Sequence, residues 1–576
     1  MEVNTERSTI LIIMRTEHPK PQFMRGSWEN LNGPWQFQID HGCSGEAQGW
    51  QAPDKTFDME INVPFCPESR LSGIAYTDFM NSVWYKRSFT LTEEQCAGRV
   101  VLHFGAVDYL ATVYIGGRKV GSHKGGYVSF SFDITDFVSP GENILTVHAA
   151  DDTRSPLIPC GKQCHEYASM GCHYTRTTGI WQTVWLEFTP KTYIKSVKYT
   201  TDVAAGTLTV TAKLQGAATF RAEASYEGKP MGTAELTVSG GDATVTIPLA
   251  EKHLWEVGQG RLYDLELSYG EDKVKSYFGL RSVRLDGYKF LLNDKSVFQR
   301  LVLDQGFYPE GIYTAPSDAD LLGDIRMSMA MGFNGARLHE KVFEERFLYH
   351  CDKLGYIVWG EYPNWGLDIS RPESIYAFLP EWLEELERDC NHPAIIGWCP
   401  FNETWDCDGH RQIDDVLRTV YLTTKAVDPS RPCIDTSGNF HVVTDIFDTH
   451  DYDQDPAAFK EHYDAFPEKL FDHQGHRQPY PHGMPVFLSE YGGIRWSEDP
   501  SGWGYGNAPK TEEEFLSRLK GLTDVLLDNA AMLGYCYTQL TDVEQEQNGL
   551  YTYDRRPKFP PEVIHPIFAR KAAIEE

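Results

Sequence analysis

No stretch of this sequence approaches the roughly 20 consecutive apolar residues that a membrane-spanning helix needs. The only early apolar run, Ile10 to Met14, is too short for a signal-peptide core, has no basic segment before it and no small-residue cleavage site after it. The expectation is a cytoplasmic protein with no membrane partner. Positive charge is also scarce: 53 Lys and Arg stand against 82 Asp and Glu, a formal net charge of −29. Phosphate backbones need a basic face, and the cations do not cluster into one, so a nucleic-acid partner is excluded. The twelve cysteines lack the density and regular spacing of a stapled secreted domain and read as reduced thiols. Cys160, Cys164, Cys172 and His173 lie closest together, but their gaps do not match zinc-knuckle spacing, and they read as incidental loop residues. No glycine-rich phosphate loop follows a strand and no paired metal-ligand spacing occurs, so neither a cofactor nor a metal is expected.

What is present is length, enough for three or four domains, and two distinct kinds of patterning. Over 1–190, short apolar alternations such as Val83 to Leu91, Arg99 to Phe104 and Tyr109 to Ile115 are punctuated by Gly, Asn, Asp and Pro. This predicts a jelly-roll-like β-sandwich. A second all-β segment, 191–285, has the size of an immunoglobulin-like β-sandwich. From 286 to 576, strand-like and helix-like stretches alternate, the pattern of a parallel α/β domain. Eight candidate strands are present: Phe298 to Gln305, Phe333 to His339, Tyr356 to Pro363, Ile395 to Glu403, Pro432 to Ser437, Ile446 to Tyr452, Val486 to Gly493 and Leu533 to Leu540. Ser317 is a candidate helix N-cap, and Thr511 with Glu514 has capping-box spacing. Eight βα units in this length predict a C-terminal (β/α)8 TIM barrel.

In such a barrel the reacting groups sit at the C-terminal ends of strands. The fourth candidate strand ends in Asn402-Glu403 and the seventh in Ser489-Glu490-Tyr491-Gly492. Each puts a carboxylate at the mouth after an apolar strand. A pair of carboxylates facing each other across a sugar is the requirement for glycoside hydrolysis: about 5 Å apart for retention through a covalent intermediate, about 8 Å for inversion. A third carboxylate, Glu361, ends the third candidate strand and reads as a sugar-hydroxyl contact or a support behind the site. The stretch Gly493 to Asn507, with Trp496, Trp503 and Tyr505, reads either as an aromatic loop over the sugar or as a loop tip packed on its own domain.

Asn402-Glu403, Ser489-Glu490-Tyr491-Gly492 and the order of sandwich, immunoglobulin-like domain and barrel together resemble glycoside hydrolase family 2. The resemblance runs over nearly the whole chain. Leu31-Asn32-Gly33-Pro34-Trp35-Gln36-Phe37 resembles the family's opening strand, Val83 to Phe89 its "WYxRxF" strand, and Gly179-Ile180-Trp181 its "GI(W/F/H)R" segment with Gln182 in place of the arginine. Gly549-Leu550-Tyr551 and Asp554 to Lys558 resemble the end of the β-glucuronidase barrel. The resemblance implies Glu403 as acid/base, Glu490 as nucleophile, Asn402 on the sugar 2-OH, Tyr452 on the nucleophile and Arg337 beside it.

Several positions depart from the best-known members. Their Arg-x-Ser-His pattern is here Arg337-Leu338-His339-Glu340, so His339 either replaces that histidine one position early or is a polar strand end. Asp304-Gln305-Gly306-Phe307 replaces an Asn-(Arg/Lys)-His-Glu run, and His173 stands where those enzymes carry a sugar-contacting aspartate. Near the end of the eighth candidate strand, where a tryptophan is common, stand Tyr537 and Gln539; the following Asp542, Glu544 and Glu546 disfavour an anionic aglycone. No Asn-x-Lys clamp for a C6 carboxylate follows the seventh strand, although Arg176, Arg495 or Lys510 could supply the charge. The expectation is a retaining exo-glycosidase acting on a carbohydrate substrate, a β-galactoside by default. A β-glucuronide, a β-galacturonide or an α-L-arabinopyranoside is the alternative, and a non-catalytic carbohydrate-binding protein the alternative from another class. The exposed sandwich edges are compatible with a homo-oligomer.

Overall fold

The computed structural model describes residues 15–404, 411–438, 440–471 and 479–576. The Ile10 to Met14 run lies outside the described residues. No helix among the described residues is long and apolar enough to cross a membrane.

Period-two alternation builds the first sandwich. In Gly33–Ile39 the side chains of Trp35 and Phe37 are buried while Pro34 and Gln36 are exposed, so one face of each strand feeds the core. A six-stranded sheet, ordered Met59–Val63, Gly33–Ile39, Ser82–Leu91, Gly141–Ala150, Leu110–Ile115 and Arg118–Lys124, faces a four-stranded one. Val83, Tyr85, Leu102, Phe104, Val113 and Val147 fill the space between them. A second, smaller sandwich has three strands (Tyr193–Asp202, Thr207–Gln215, Gly241–Pro248) against four (Ala218–Tyr226, Lys229–Val238, Tyr263–Tyr269, Asp272–Phe278) around Phe220, Leu265 and Val210.

A small antiparallel meander, Val283–Asp286, Lys289–Leu292 and Lys295–Ser296, precedes the barrel, whose first strand is Gln299–Asp304. The parallel strands then run Gly335–Leu338, Ile357–Glu361, Ile395–Cys399, Phe447–Asp451, Val486–Gly492 and Met532–Thr538, nearly all buried. Burial on both faces explains why these segments read as continuous apolar runs. The fifth expected strand, Pro432 to Ser437, is reduced to two bridges, Trp398 to Cys433 and Asn402 to Ser437. Its polar Asp435, Thr436 and Ser437 are committed to side-chain hydrogen bonds rather than to a ladder.

The expected caps take altered forms. Thr511 accepts the Glu514 amide at 3.2 Å, but the Glu514 carboxylate reaches back to Lys510 N at 2.8 Å instead of Thr511. Ser317 donates to the Asp320 carboxylate at 2.6 Å and caps no amide.

The first sandwich is held against the barrel mouth by buried polar contacts. Glu381 accepts from the backbone amides of Tyr127 and Val128 and from the Tyr362 hydroxyl, and Thr314 donates to the Trp181 carbonyl. The loop at 160–176 thereby reaches the mouth. Cys160 N and Gly161 N both donate to Trp365 O, and Tyr174 donates to Glu546 at 2.5 Å. Gly161 has φ +56, and a Cβ there would lie 2.4 Å from Glu340 O, so only glycine permits this approach.

Candidate active site

The cleft is built on polar residues that end the barrel strands. Arg337, 1% exposed, points inward and fans out. Its Nε donates to Glu361, one terminal nitrogen to Ser489 O at 2.8 Å and Glu490 Oε1 at 3.2 Å, and the other to Asn402 Oδ1 at 3.2 Å. Tyr452 donates to the other Glu490 oxygen at 2.6 Å and exchanges a 2.9 Å bond with Thr538. Burial opposes ionisation of Glu490, but the His450 and Arg337 cations and the Tyr452 hydroxyl outweigh it and hold the carboxyl at about 2. The ladder slips register between Thr449 and His450 and between Leu488 and Tyr491, irregularities that re-aim side chains at the mouth.

Glu403 follows the fourth strand with φ +51, a left-handed conformation that costs a non-glycine residue about 1 kcal/mol or more. Its amide donates to Ser437 O at 2.9 Å, which fixes that turn. Its carboxylate accepts from His450 Nδ1 at 2.8 Å, and the same nitrogen lies 3.4 Å from Glu490. The facing atoms of Glu403, His450 and Glu490 all lie within 4.8 Å of one another. Asn402 is clamped by Asn364, which takes its amide at 2.7 Å and donates to its carbonyl at 3.1 Å. With Oδ1 on Arg337, the Asn402 Nδ2 donor is buried and without a partner among the described residues, and so suits a ligand hydroxyl.

The sandwich loop adds Lys162 and His173. Lys162 is 5% exposed; its ammonium sits 3.8 Å over the Trp365 ring and meets no hydrogen-bond or ion-pair partner among the described residues. Burial opposes its charge, but Cys172, Glu546, Glu403 and Glu490 together keep the ammonium more basic than usual. Burial and Lys162 hold His173 down at about 4, hence neutral. Tyr505 stacks on Tyr452, 3.5 Å between ring centroids, and roofs the cleft. A cavity of about 710 Å³ opens beside Glu403, lined by His165, His173, Trp365, Asp368 and Gln412.

Of the residues expected from sequence, the structure brings together Glu403, Glu490, Asn402, Arg337, Tyr452, Glu361 and His339, the last bonded to Glu361 at 3.1 Å. His173 flanks the same space, 5.2 Å from the Trp365 ring. Three expectations, for Asp304, Tyr537 and Trp503, are corrected. Asp304 accepts the Gly306 amide and faces Asp324 of the helix Asp318–Ala330, on the outer side of the strand. Tyr537 packs on Phe568 of the outer helix Pro561–Phe568. Trp503 donates to Gly171 O at 2.7 Å and ties its loop to the sandwich, so Tyr505 is the aromatic that meets the site. The cysteine cluster is not gathered around a common point: Cys160 and Cys164 thiols face the separate carbonyls of Thr153 and Ala168. His450 and Lys162 were not singled out by the sequence; Glu340 and Glu546 stood only within longer runs, and Tyr505 only within the aromatic loop Gly493 to Asn507. For His450 a signal existed, since it is two residues from Tyr452 and so shares its face.

Three family models match in this order: "Glycosyl hydrolases family 2, sugar binding domain" over 28–190, "Glycosyl hydrolases family 2" over 192–281, and its "TIM barrel domain" over 283–494. The chain belongs to glycosyl hydrolase family 2. It is a glycosidase of that family. It is 24% identical to a β-glucuronidase of Paenibacillus borealis over 92% of this chain and 95% of the relative. It is 26% identical to the β-glucuronidase of Rattus norvegicus over 70% and 67%. Among solved structures, the β-glucuronidase of an uncultured Clostridium species superposes with a TM-score of 0.79 at 20% identity, covering 96% of this chain and all of that one. The Ruminococcus gnavus β-glucuronidase in complex with D-glucuronic acid gives 0.78 at 20% identity over 96% and 99%. At that identity the structural likeness speaks for the fold.

Proposed function

We propose that this family 2 enzyme hydrolyses terminal β-glycosides with retention of configuration, Glu490 acting as nucleophile and Glu403 as acid/base. The observation that carries the reading is the separation of the two carboxylates, whose facing oxygens lie within 4.8 Å of each other. That spacing suits direct attack on the anomeric carbon and leaves no room for an intervening water. In the first step Glu490 attacks that carbon while Glu403 gives its proton to the departing oxygen. In the second, water gives a proton to Glu403 and its oxygen bonds to the anomeric carbon, which releases Glu490. The unpartnered Nδ2 of Asn402 supports a bond to the 2-OH, a contact that would tighten at the oxocarbenium-like transition state. The cavity beside Glu403 is the space offered to the leaving group.

For the glycone, the names of the relatives favour a β-glucuronide over the β-galactoside expected from sequence. Lys162 supports that choice, as a buried ammonium without a hydrogen-bond partner among the described residues suits a carboxylate. The other cations considered are spoken for or remote. Arg176 is bonded to the carbonyls of Cys164, Glu166 and Thr77, Arg495 to Asp499 O, and Lys510 is exposed. A second reading, an uncharged glycone, is favoured by the carboxylates of Glu546 and Glu340, which share the field of Lys162. A panel of p-nitrophenyl glycosides on wild type and Glu490→Ala tests both. The expected result is one good substrate, the β-D-glucuronide, with turnover abolished in the variant. Turnover surviving Glu490→Ala removes the nucleophile assignment, and a preference for the galactoside removes the uronide.

A further inference from the structure

His450 touches both carboxylates of the site, and the wiring behind it fixes its protonation. Nδ1 lies 2.8 Å from Glu403 Oε1 and 3.4 Å from Glu490 Oε2; with the Glu403 proton on Oε2, facing the leaving oxygen, both of these oxygens accept, so Nδ1 carries a proton. Nε2 lies 3.0 Å from Ser437 Oγ. The Ser437 hydroxyl donates to Asp448 at 2.8 Å or to Ser489 at 3.1 Å, and either choice leaves its oxygen to accept from Nε2–H. Asp448 is in turn held ionised by His441, which also meets Asp435 at 2.7 Å. Both ring nitrogens are thus donors. Gly438, φ +89, makes the room: a Cβ there would lie 2.5 Å from the imidazole.

We propose that His450 is a positioning residue for both carboxylates, an imidazolium that donates to Glu403, orients it towards the leaving oxygen and keeps Glu490 ionised beside it. The charged groups around it are Glu403 and Glu490 in front, Arg337 and Glu361 across the cleft, and Asp448 with His441 behind. His339 faces the same field from the second barrel strand. This inference rests on the roles proposed for Glu403 and Glu490 and holds for either glycone.

His450→Gln keeps a donor of similar reach and removes the charge. Two readouts separate positioning from mere support. The acidic limb of kcat/KM, which follows ionisation of Glu490, should move up by about one pH unit or more, the usual effect of losing an adjacent opposite charge. Activity on alkyl or sugar aglycones, which need protonation, should fall at least about tenfold further than on a 2,4-dinitrophenyl aglycone, which does not. Ser437→Ala, which leaves His450 in place but removes its Nε2 acceptor, should move both readouts part-way in the same directions. A uniform loss across leaving groups with the acidic limb in place, in whichever variant folds, overturns the proposal. Labelling of wild type by a 2-fluoro glycosyl fluoride is the separate control. Label on a residue other than Glu490 sinks the two-glutamate reading itself, whereas label on Glu490 with unmoved limbs sinks only the role of His450.

Discussion

Arg337→Lys keeps the charge of the guanidinium and removes its shape. In the wild type one planar group spans Glu361, Ser489 O, Glu490 and Asn402, a set that a single ammonium cannot reach. Lysine on that strand retains the partner nearest its backbone and releases the rest. Loss of the contacts to Glu490 and Asn402 at about 1.5–3 kcal/mol for each charged hydrogen bond amounts to about 3–6 kcal/mol. If both contacts act in the transition state, kcat/KM falls by about 10²- to 10⁴-fold, one decade per roughly 1.4 kcal/mol. Stability should fall less, because Glu361 keeps a buried cation and its bond to His339. Arg337→Met separates the two effects: it leaves Glu361 and Glu490 buried without that charge and should cost about 3–5 kcal/mol of folding stability. The assays are kcat/KM on the best p-nitrophenyl glycoside, the rate of 2-fluoro sugar trapping and the thermal midpoint. A lysine variant within tenfold of wild type in kcat/KM and trapping would refute the argument that the fork, and not merely the charge, presents Glu490.

Two further outcomes are expected. Lys162→Met should lower kcat/KM for a β-D-glucuronide by about 10- to 100-fold, the value of one charged hydrogen bond, and leave the matching β-D-glucoside within a few fold; equal losses on both would discharge Lys162 from carboxylate recognition. Asp304→Asn should raise the thermal midpoint at pH 8 and leave it unchanged at pH 4. Burial and Asp324 push the Asp304 carboxyl up to about 7, so the folded state keeps its proton where the unfolded chain has lost it. The cost therefore accumulates from about pH 4 to pH 7 and persists above. A midpoint that is insensitive to pH in the comparison would remove the burial argument.

The sequence exposes the strand ends well and their parity poorly. An apolar run followed by a carboxylate is visible in Ile395 to Glu403 and in Val486 to Glu490 because burial on both strand faces leaves polar residues only at the mouth. Which of two neighbouring strand-end residues turns inward depends on register, and a slip of one residue exchanges the faces. Tyr537 turns out to Phe568, and its neighbour Thr538 is the one that meets Tyr452. Asp304 turns out to Asp324, whereas Gln305 enters the network of Tyr174 and Gln539. On the second strand the same alternation succeeds, with Arg337 and His339 both inward and bonded to Glu361. The fifth strand failed for a different reason: its polar residues bond to His441, Asp448 and Thr404 through side chains, which no pattern of hydrophobicity reports.

Residues carried by irregular backbone escape periodicity altogether. Lys162 lies in a loop whose course is set by Gly161 pressed on Glu340 O and by amide contacts to Trp365 O, none of them encoded as a repeat. Yet its charge decides how the cleft balances. Glu403, Glu490, Glu361, Glu340 and Glu546 share the space with Arg337, His450 and Lys162. Burial pushes Glu340 and Glu546 up against the opposing pull of Lys162, so these two take protons more readily than free carboxyls. Arg337 and His450 are both bonded to carboxylates, and Lys162 is the cleft cation that meets no acceptor among the described residues. A uronate would supply that acceptor directly. An uncharged sugar would instead leave Lys162 balanced through space by Glu546, with a hydroxyl bridging the two. The glycone thus turns on whether Glu546 stays protonated beside the ligand: a protonated Glu546 donates to a carboxylate, and an ionised one repels it. Tyr174 and Asn548 both donate to Glu546 and favour its ionised form, while burial disfavours it more strongly. That ordering is in keeping with the uronide proposed above.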